Sequence, residues 1–162
     1  MANKILDFFI TFSVWLIIAV AIHELGHHLA TQLLGGDAYI VYQGFWAGLT
    51  YTEGLSPREY EIVAYSGGLF AALMMGLLWW RARTSPTLWD LDDEVILASF
   101  GGMQLLYGLV EGATLGAALR ITQGYMIMMP IAMVAGFLIP LLLYLPQIAS
   151  WLQGESNEST NG

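Results

Sequence analysis

Long apolar runs separated by short polar segments dominate this chain. Four runs are almost free of charged residues, and each is about as long as, or longer than, the roughly twenty residues that a helix needs to cross a bilayer. They cover residues 5–34, 62–80, 95–119 and 121–152. This pattern predicts an all-α membrane protein with four transmembrane helices in a single membrane-embedded domain over residues 1–152.

A different pattern separates the first two runs. Gly35 and Gly36 end the first helix, because glycine is favoured just beyond the last helical residue. Residues 38–43 and 45–52 are rich in β-branched and aromatic side chains on either side of Gly44. The sequence therefore predicts a small β-hairpin between helices 1 and 2.

The C-terminal part of the chain has two further features. The fourth run contains three prolines, which remove main-chain hydrogen bonds and favour a kink or a break in the helix. These are Pro130, Pro140 and Pro146. Residues 153–162 contain no apolar side chain and are predicted to form a disordered polar tail.

Composition agrees with a multi-pass membrane location, which we expect to be a prokaryotic cell membrane. Hydrophobic residues make up 57% of the chain and charged residues 11%, about half the charged fraction of a typical soluble domain. The apolar runs make the lipid bilayer the expected surroundings of the chain. The net charge of -8, with a single lysine, argues against nucleic acid and anionic lipid headgroups as partners. Cysteine is absent, which excludes disulfides, thiolate metal sites and cysteine catalysis.

The first run contains the sequence His-Glu-Leu-Gly-His at residues 23–27. His23 and His27 are four residues apart and share one helix face, so their ring nitrogens can bind one metal ion. Glu24 then lies beside the metal as a general base, an arrangement typical of zinc metalloproteases. His28 lies about 100° further round the helix, which favours a structural role. The pattern predicts a Zn²⁺ cofactor with Glu24 as the catalytic residue.

A hydrolytic zinc site usually has three protein ligands and one water, so a third ligand is needed. Of the thirteen acidic residues, Asp7 lies at the start of the first predicted span, and only Glu24 and Glu111 lie deep inside the spans, where an ionisable group is costly unless it binds a metal, pairs or faces water. His23 and Glu111 follow the starts of their runs by similar distances, roughly 24 to 27 Å along parallel helices. We therefore expect Glu111, and not the acids of the 84–94 loop, to be the third ligand.

Other polar residues share the helix face of Glu111. Gln104 and Tyr107 precede it by seven and four residues, and Thr114 follows it by three. Gln104 and Tyr107 are candidate substrate-binding residues in a polar lining. Alternatively, these side chains bond neighbouring helices while the glycines of the run permit close packing; this role is favoured for Gln104 and Thr114, and both stay open for Tyr107.

Together these motifs resemble the site-2 protease family of intramembrane zinc metalloproteases. The resemblance covers roughly residues 15–118 and rests on residues 23–27, 35–36 with the following hairpin, 65–68 (Tyr-Ser-Gly-Gly) and 110–112 (Val-Glu-Gly). The family's third ligand is an aspartate in a Leu-Asp-Gly sequence preceded by asparagine and prolines. Here Glu111 stands in that place, without a preceding asparagine or proline, so the chain resembles a compact, divergent member.

The resemblance implies hydrolysis of a peptide bond within or near the transmembrane segment of a membrane protein substrate. The substrate helix would unwind beside the first three helices so that a peptide bond reaches the zinc, while Glu24 transfers a proton. An extended substrate could add to a free edge of the hairpin. Alternatively, the hairpin is an interfacial cap with its aromatic side chains at headgroup level.

A second class of function is a catalytically inactive metal-binding subunit, a pseudoprotease that binds or scaffolds a partner protein in a membrane complex. The altered motif around Glu111 favours this class. The presence of Glu24 favours the enzyme, because a structural zinc site needs no general base. Three histidines are too few for the histidine clusters of a membrane desaturase.

Overall fold

The computed structural model describes residues 2–44, 47–85, 91–116 and 122–158. Their elements are α1 (Ala2–Leu33), β1 (Asp37–Tyr42), β2 (Gly48–Glu53), α2 (Pro57–Thr84), α3 (Leu91–Glu111), a π-helical turn (Gly112–Gly116) and α4 (Thr122–Glu158). Each of the four α-helices contains a stretch long and apolar enough to cross a membrane. The predicted four helices and the hairpin are confirmed, and they suggest a multi-pass membrane protein.

The buried core lies between α3 and its neighbours. Its largest fully buried apolar side chains are Phe100, Ile96 and Leu97 of α3 and Met75 of α2. Aromatic side chains of α1 pack onto this core, and the ring of Phe12 lies 5.2 Å from that of Phe100 between centroids. The core thus joins α1, α2 and α3 on the side away from the hairpin.

Glycines allow the helices to cross closely. A Cβ atom placed on Gly68 of α2 would overlap the main chain at Gly108 of α3, and the reverse also holds. Gly102 of α3 and Gly136 of α4 form a second such crossing. Small residues at these points let the backbones approach, which is the main source of helix association in a lipid environment.

The hairpin folds back along α1. β1 and β2 are antiparallel, with Tyr42 opposite Gly48 at the end nearest the turn. A Cβ atom on Gly48 would overlap the side chain of Glu24. Glu24 precedes the α1 terminus at Leu33 by nine residues, roughly 14 Å of helix. The end of β2 at Gly48 therefore lies beside the interior of α1 and not beyond its C-terminal end.

The two faces of the hairpin have different surroundings. Tyr39, Leu49 and Tyr51 are exposed on one face, where the two tyrosine rings stack with centroids 5.0 Å apart. Thr50 and Thr52 alternate with these residues and face the helices, where they line a cavity. One face is thus suited to contact with lipid, and the other contributes to an internal polar site.

Two predictions for the C-terminal part differ from the structure. α4 is one continuous helix although Pro130, Pro140 and Pro146 lie inside it, so the predicted break is absent; transmembrane helices tolerate proline when neighbouring groups satisfy the freed carbonyls. The helix also continues through Glu158, beyond the predicted start of the polar tail at residue 153, because extending an existing helix needs no new nucleation. Residues 159–162 lie outside the described part.

Candidate metal centre

α1 and α3 bring His23, His27 and Glu111 together. The Nε2 atoms of the two histidines are 3.0 Å apart. Glu111 Oε2 lies 3.2 Å from His23 Nε2 and 3.4 Å from His27 Nε2. All three residues are buried, with 6% to 8% of their surface exposed. The predicted grouping is confirmed, and this buried group could hold a metal ion.

The other ring nitrogen of each histidine has a fixed partner. His27 Nδ1 lies 2.7 Å from the main-chain oxygen of Val63, which can only accept a hydrogen bond. His23 Nδ1 lies 2.8 Å from Gln104 Oε1, also an acceptor. The neutral imidazole that fits these contacts carries its proton on Nδ1, and in that form both Nε2 atoms direct lone pairs toward Glu111. Metal-binding histidines use this arrangement, in which the second nitrogen donates to an oxygen.

Three electron-rich atoms thus converge in a buried volume. Glu111 Oε2 is buried and has no hydrogen-bond partner within the described ranges. The two Nε2 lone pairs and this carboxylate oxygen repel one another, and the low permittivity of the interior strengthens the repulsion. A cation between them removes it, and imidazole and carboxylate donors suit a divalent transition-metal ion. The residues present therefore fit a bound metal.

The end of α3 helps to place Glu111. The helix changes to a π-helical turn directly after this residue, a feature often found at functional sites. Gly112 packs against the ring of Tyr65 in α2 so closely that a Cβ atom would overlap it. The approach of α2 to α3 at this level therefore requires glycine at position 112.

α2 packs equally closely on the histidines. A Cβ atom on Gly67 would overlap the imidazole ring of His27. A Cβ atom on Gly26 would lie 2.8 Å from the main-chain oxygen of Ser66. The Tyr-Ser-Gly-Gly sequence at residues 65–68 thus has a physical role, because it lets α2 contact α1 beside the metal group.

Glu24 lines a cavity of about 550 Å³ that also contacts the metal group. The cavity is formed by α1, α2, α3 and β2, and its walls include Glu24, His27, Thr50, Tyr60, Tyr107 and Glu111. Glu24 Oε2 accepts a hydrogen bond of 2.6 Å from Thr50 Oγ1. The predicted base and two of the three predicted metal ligands therefore share one cavity.

The two candidate substrate-binding residues occupy different places. Tyr107 lines the cavity, and its ring meets that of His23 edge to face with centroids 5.0 Å apart. Gln104 is buried, with 4% of its surface exposed, and contacts His23. Gln104 of α3 therefore bonds the neighbouring helix α1, as the helix-bonding alternative predicts, and its partner there is a metal-site histidine.

Three contributors to the site were not predicted. They are the main-chain oxygen of Val63, the hydroxyl of Thr50 and the room that Gly67, lacking a side chain, leaves for the His27 ring. A main-chain oxygen has no signature in the sequence. Thr50 could be placed on one face of a strand by alternation, but the sequence does not show which face meets Glu24.

Comparison of the chain with protein-family models, with curated proteins and with solved structures found no match in any of the three. The function must therefore be inferred from the residues of the metal group and its cavity.

Proposed function

We propose that this protein is an intramembrane zinc metalloprotease of the site-2 protease type, located in a prokaryotic cell membrane. The main supporting observation is that the Glu24 carboxylate lines the same cavity as His27 and Glu111 of the metal group. This cavity lies among helices long and apolar enough to cross a membrane. The proposed substrate is a membrane protein with a transmembrane helix, cut within or near that helix.

The donor set and its spacing are compatible with zinc, the metal that we propose. Zinc binds histidine nitrogen at about 2.0–2.1 Å and carboxylate oxygen at similar distances, so ligand atoms of a tetrahedral site are roughly 3.3 Å apart. The three donor separations of 3.0, 3.2 and 3.4 Å lie close to this value. Three protein ligands also leave one position for water or substrate, as in catalytic zinc sites.

The roles of the surrounding residues follow from their positions. Zinc bound by His23, His27 and Glu111 would make water nucleophilic and polarise the scissile carbonyl. Glu24 accepts the proton of the attacking water and delivers it to the leaving amine. Gln104 and Val63 hold the two histidines in the tautomer that binds metal. Tyr107 forms the part of the cavity wall against which bound substrate would lie.

β2 provides an edge for an unwound substrate. Hydrogen-bonded pairs alternate along an antiparallel ladder, and the bond of 2.8 Å from Gln43 N to Ala47 O fixes the alternation here. Thr50 and Thr52 therefore direct their main-chain groups away from β1. Their side chains line the cavity, so a substrate strand that pairs with this edge would lie beside Glu24.

Metal analysis and membrane peptide profiling together test the proposal. We expect about one zinc per chain in the purified protein, lost in His23→Ala and retained in Glu24→Gln. Fragments of a membrane protein should accumulate in cells that express the wild type and be absent with Glu24→Gln. Glu61→Gln, at an exposed position on α2, is the matched control.

The results separate the two classes of function. Equal substrate processing by Glu24→Gln and the wild type would overturn the protease proposal. Zinc binding without cleavage by the wild type, together with a stably bound membrane partner, would identify a pseudoprotease subunit.

A further inference from the structure

We propose that Thr50 is a positioning residue that orients the Glu24 carboxylate for proton transfer. This inference rests on the proposed protease function and assigns a role to the hairpin within it. Thr50 Oγ1 lies 2.6 Å from Glu24 Oε2 and 3.1 Å from the main-chain oxygen of Glu24. A hydroxyl has one hydrogen and can donate it to only one of these oxygens. The carboxylate oxygen is both the closer and the stronger acceptor. Thr50 therefore donates to Oε2.

Strand pairing fixes the position of this hydroxyl. Thr50 lies opposite Ile40 in the hairpin, and its neighbours Leu49 and Tyr51 pair with Val41 and Tyr39, so the main chain on either side of Thr50 is held by β1. Gly48, two residues earlier on the same face, contacts the Glu24 side chain so closely that no Cβ atom would fit. The backbone of β2 is thus packed directly on Glu24, and the side chain of Thr50 restrains the carboxylate from the hairpin side.

The restraint determines which carboxylate oxygen can act. With Oε2 bonded to Thr50, Oε1 is the oxygen assigned to the attacking water. A general base must lie within hydrogen-bonding reach of the proton that it removes, and small misplacements of reacting groups are costly. Within the described segments, the Thr50 hydroxyl makes no hydrogen bond to any of the three metal-group residues. Removal of this hydroxyl should therefore slow the chemical step without loss of metal.

Conservative variants of Thr50 test this role. Thr50→Val keeps the shape of the side chain and removes the donor; we expect kcat to fall about tenfold or more, with KM and zinc content close to those of the wild type. Thr50→Ser keeps the hydroxyl and should restore kcat to within about threefold of the wild type. Thr84→Val makes the same substitution at an exposed position at the C-terminal end of α2 and is the control.

Two kinetic outcomes would overturn the proposal. One is an unchanged kcat in Thr50→Val, and the other is a change confined to KM, which would indicate a substrate contact. Failure of Thr50→Ser to restore kcat would also count against it, since the hydroxyl would then not be the active feature.

Hydrogen exchange provides a test that does not depend on cleavage. The amides of β2 should exchange faster in Thr50→Val than in the wild type, and Thr50→Ser should match the wild type. If the wild type cleaves no membrane protein, the proposed function fails and exchange alone decides whether Thr50 restrains Glu24. Unchanged exchange in Thr50→Val would then overturn the restraint.

Discussion

At the scale of single residues, Gly67 determines whether His27 can face Glu111. The ring of His27 occupies the space that a Cβ atom on Gly67 would need, while Val63 holds the ring from its other side. We expect Gly67→Ala to displace the ring and to lower zinc affinity by about tenfold or more. Metal analysis after dialysis measures this. Gly76→Ala in the same helix, where a Cβ atom meets open space, should keep its zinc; full zinc retention in Gly67→Ala would contradict the packing.

A second prediction at this scale concerns Gln104. Its side-chain oxygen is the acceptor for His23 Nδ1, and removal of such a partner typically weakens metal binding by about 10- to 100-fold. Gln104→Leu should therefore lose zinc to a chelator at lower concentration than the wild type, whereas Gln104→Glu retains an acceptor and should resist it. Gln32→Leu, at an exposed position of α1, should behave as the wild type. Equal chelator sensitivity of Gln104→Leu and the wild type would remove this role.

The sequence predicts the three residues of the metal group better than the groups that hydrogen-bond to the histidines and to Glu24. His23, His27 and Glu111 could be grouped because ionisable residues are rare in apolar runs and their depth follows from residue counting. The partners of the histidines do not follow in this way. The oxygen of Val63 belongs to the main chain, and the contact of Thr50 with Glu24 depends on how the hairpin docks on α1.

At the scale of elements, the contact between α2 and β2 controls the edge proposed for substrate. Tyr60 of α2 donates a hydrogen bond of 3.0 Å to the main-chain oxygen of Thr52, an acceptor that a pairing substrate strand would need. Tyr60→Phe removes the hydroxyl that competes with substrate for the Thr52 oxygen. The hydrogen bond that the substrate can then make contributes about 1 kcal/mol to binding. We therefore expect KM to fall about fivefold with little change in kcat. Steady-state kinetics on the substrate identified with Glu24→Gln measures this, and a rise in KM would contradict strand addition at β2.

The helices and their irregularities show which structural features the sequence pattern alone can predict. Hydropathy predicted the helices because a span must be long and uncharged. The prolines of α4 predicted a kink or a break. The helix is not broken, because neighbouring groups in a membrane protein can replace the hydrogen bonds that proline removes. The π-helical turn after Glu111 was not predicted, and it begins at Gly112, which contacts Tyr65 in another helix.

At the scale of the whole molecule, polar contacts at the opposite end of the bundle hold α4 in place. Trp79 of α2 donates a hydrogen bond of 2.7 Å to the hydroxyl of Tyr144 in α4, which in turn donates to Glu94 of α3. Arg83 approaches the same carboxylate at 3.4 Å. Glu94 precedes Glu111 by seventeen residues, roughly 26 Å along α3. Stability of the bundle and binding of the metal should therefore be separable.

Tyr144→Phe tests this separation. The substitution leaves the indole N–H of Trp79 without its acceptor and the carboxylate of Glu94 without one donor, so we expect the free energy of unfolding to fall by about 1–2 kcal/mol. Zinc content should stay at the wild-type value, because the metal group lies at the other end of α3. Unfolding in mixed micelles at increasing denaturing detergent, with zinc measured on the folded protein, gives both quantities. Tyr39→Phe, on the exposed face of the hairpin, is the control. Parallel loss of zinc and stability in Tyr144→Phe would show that the two ends of the bundle are coupled through α3.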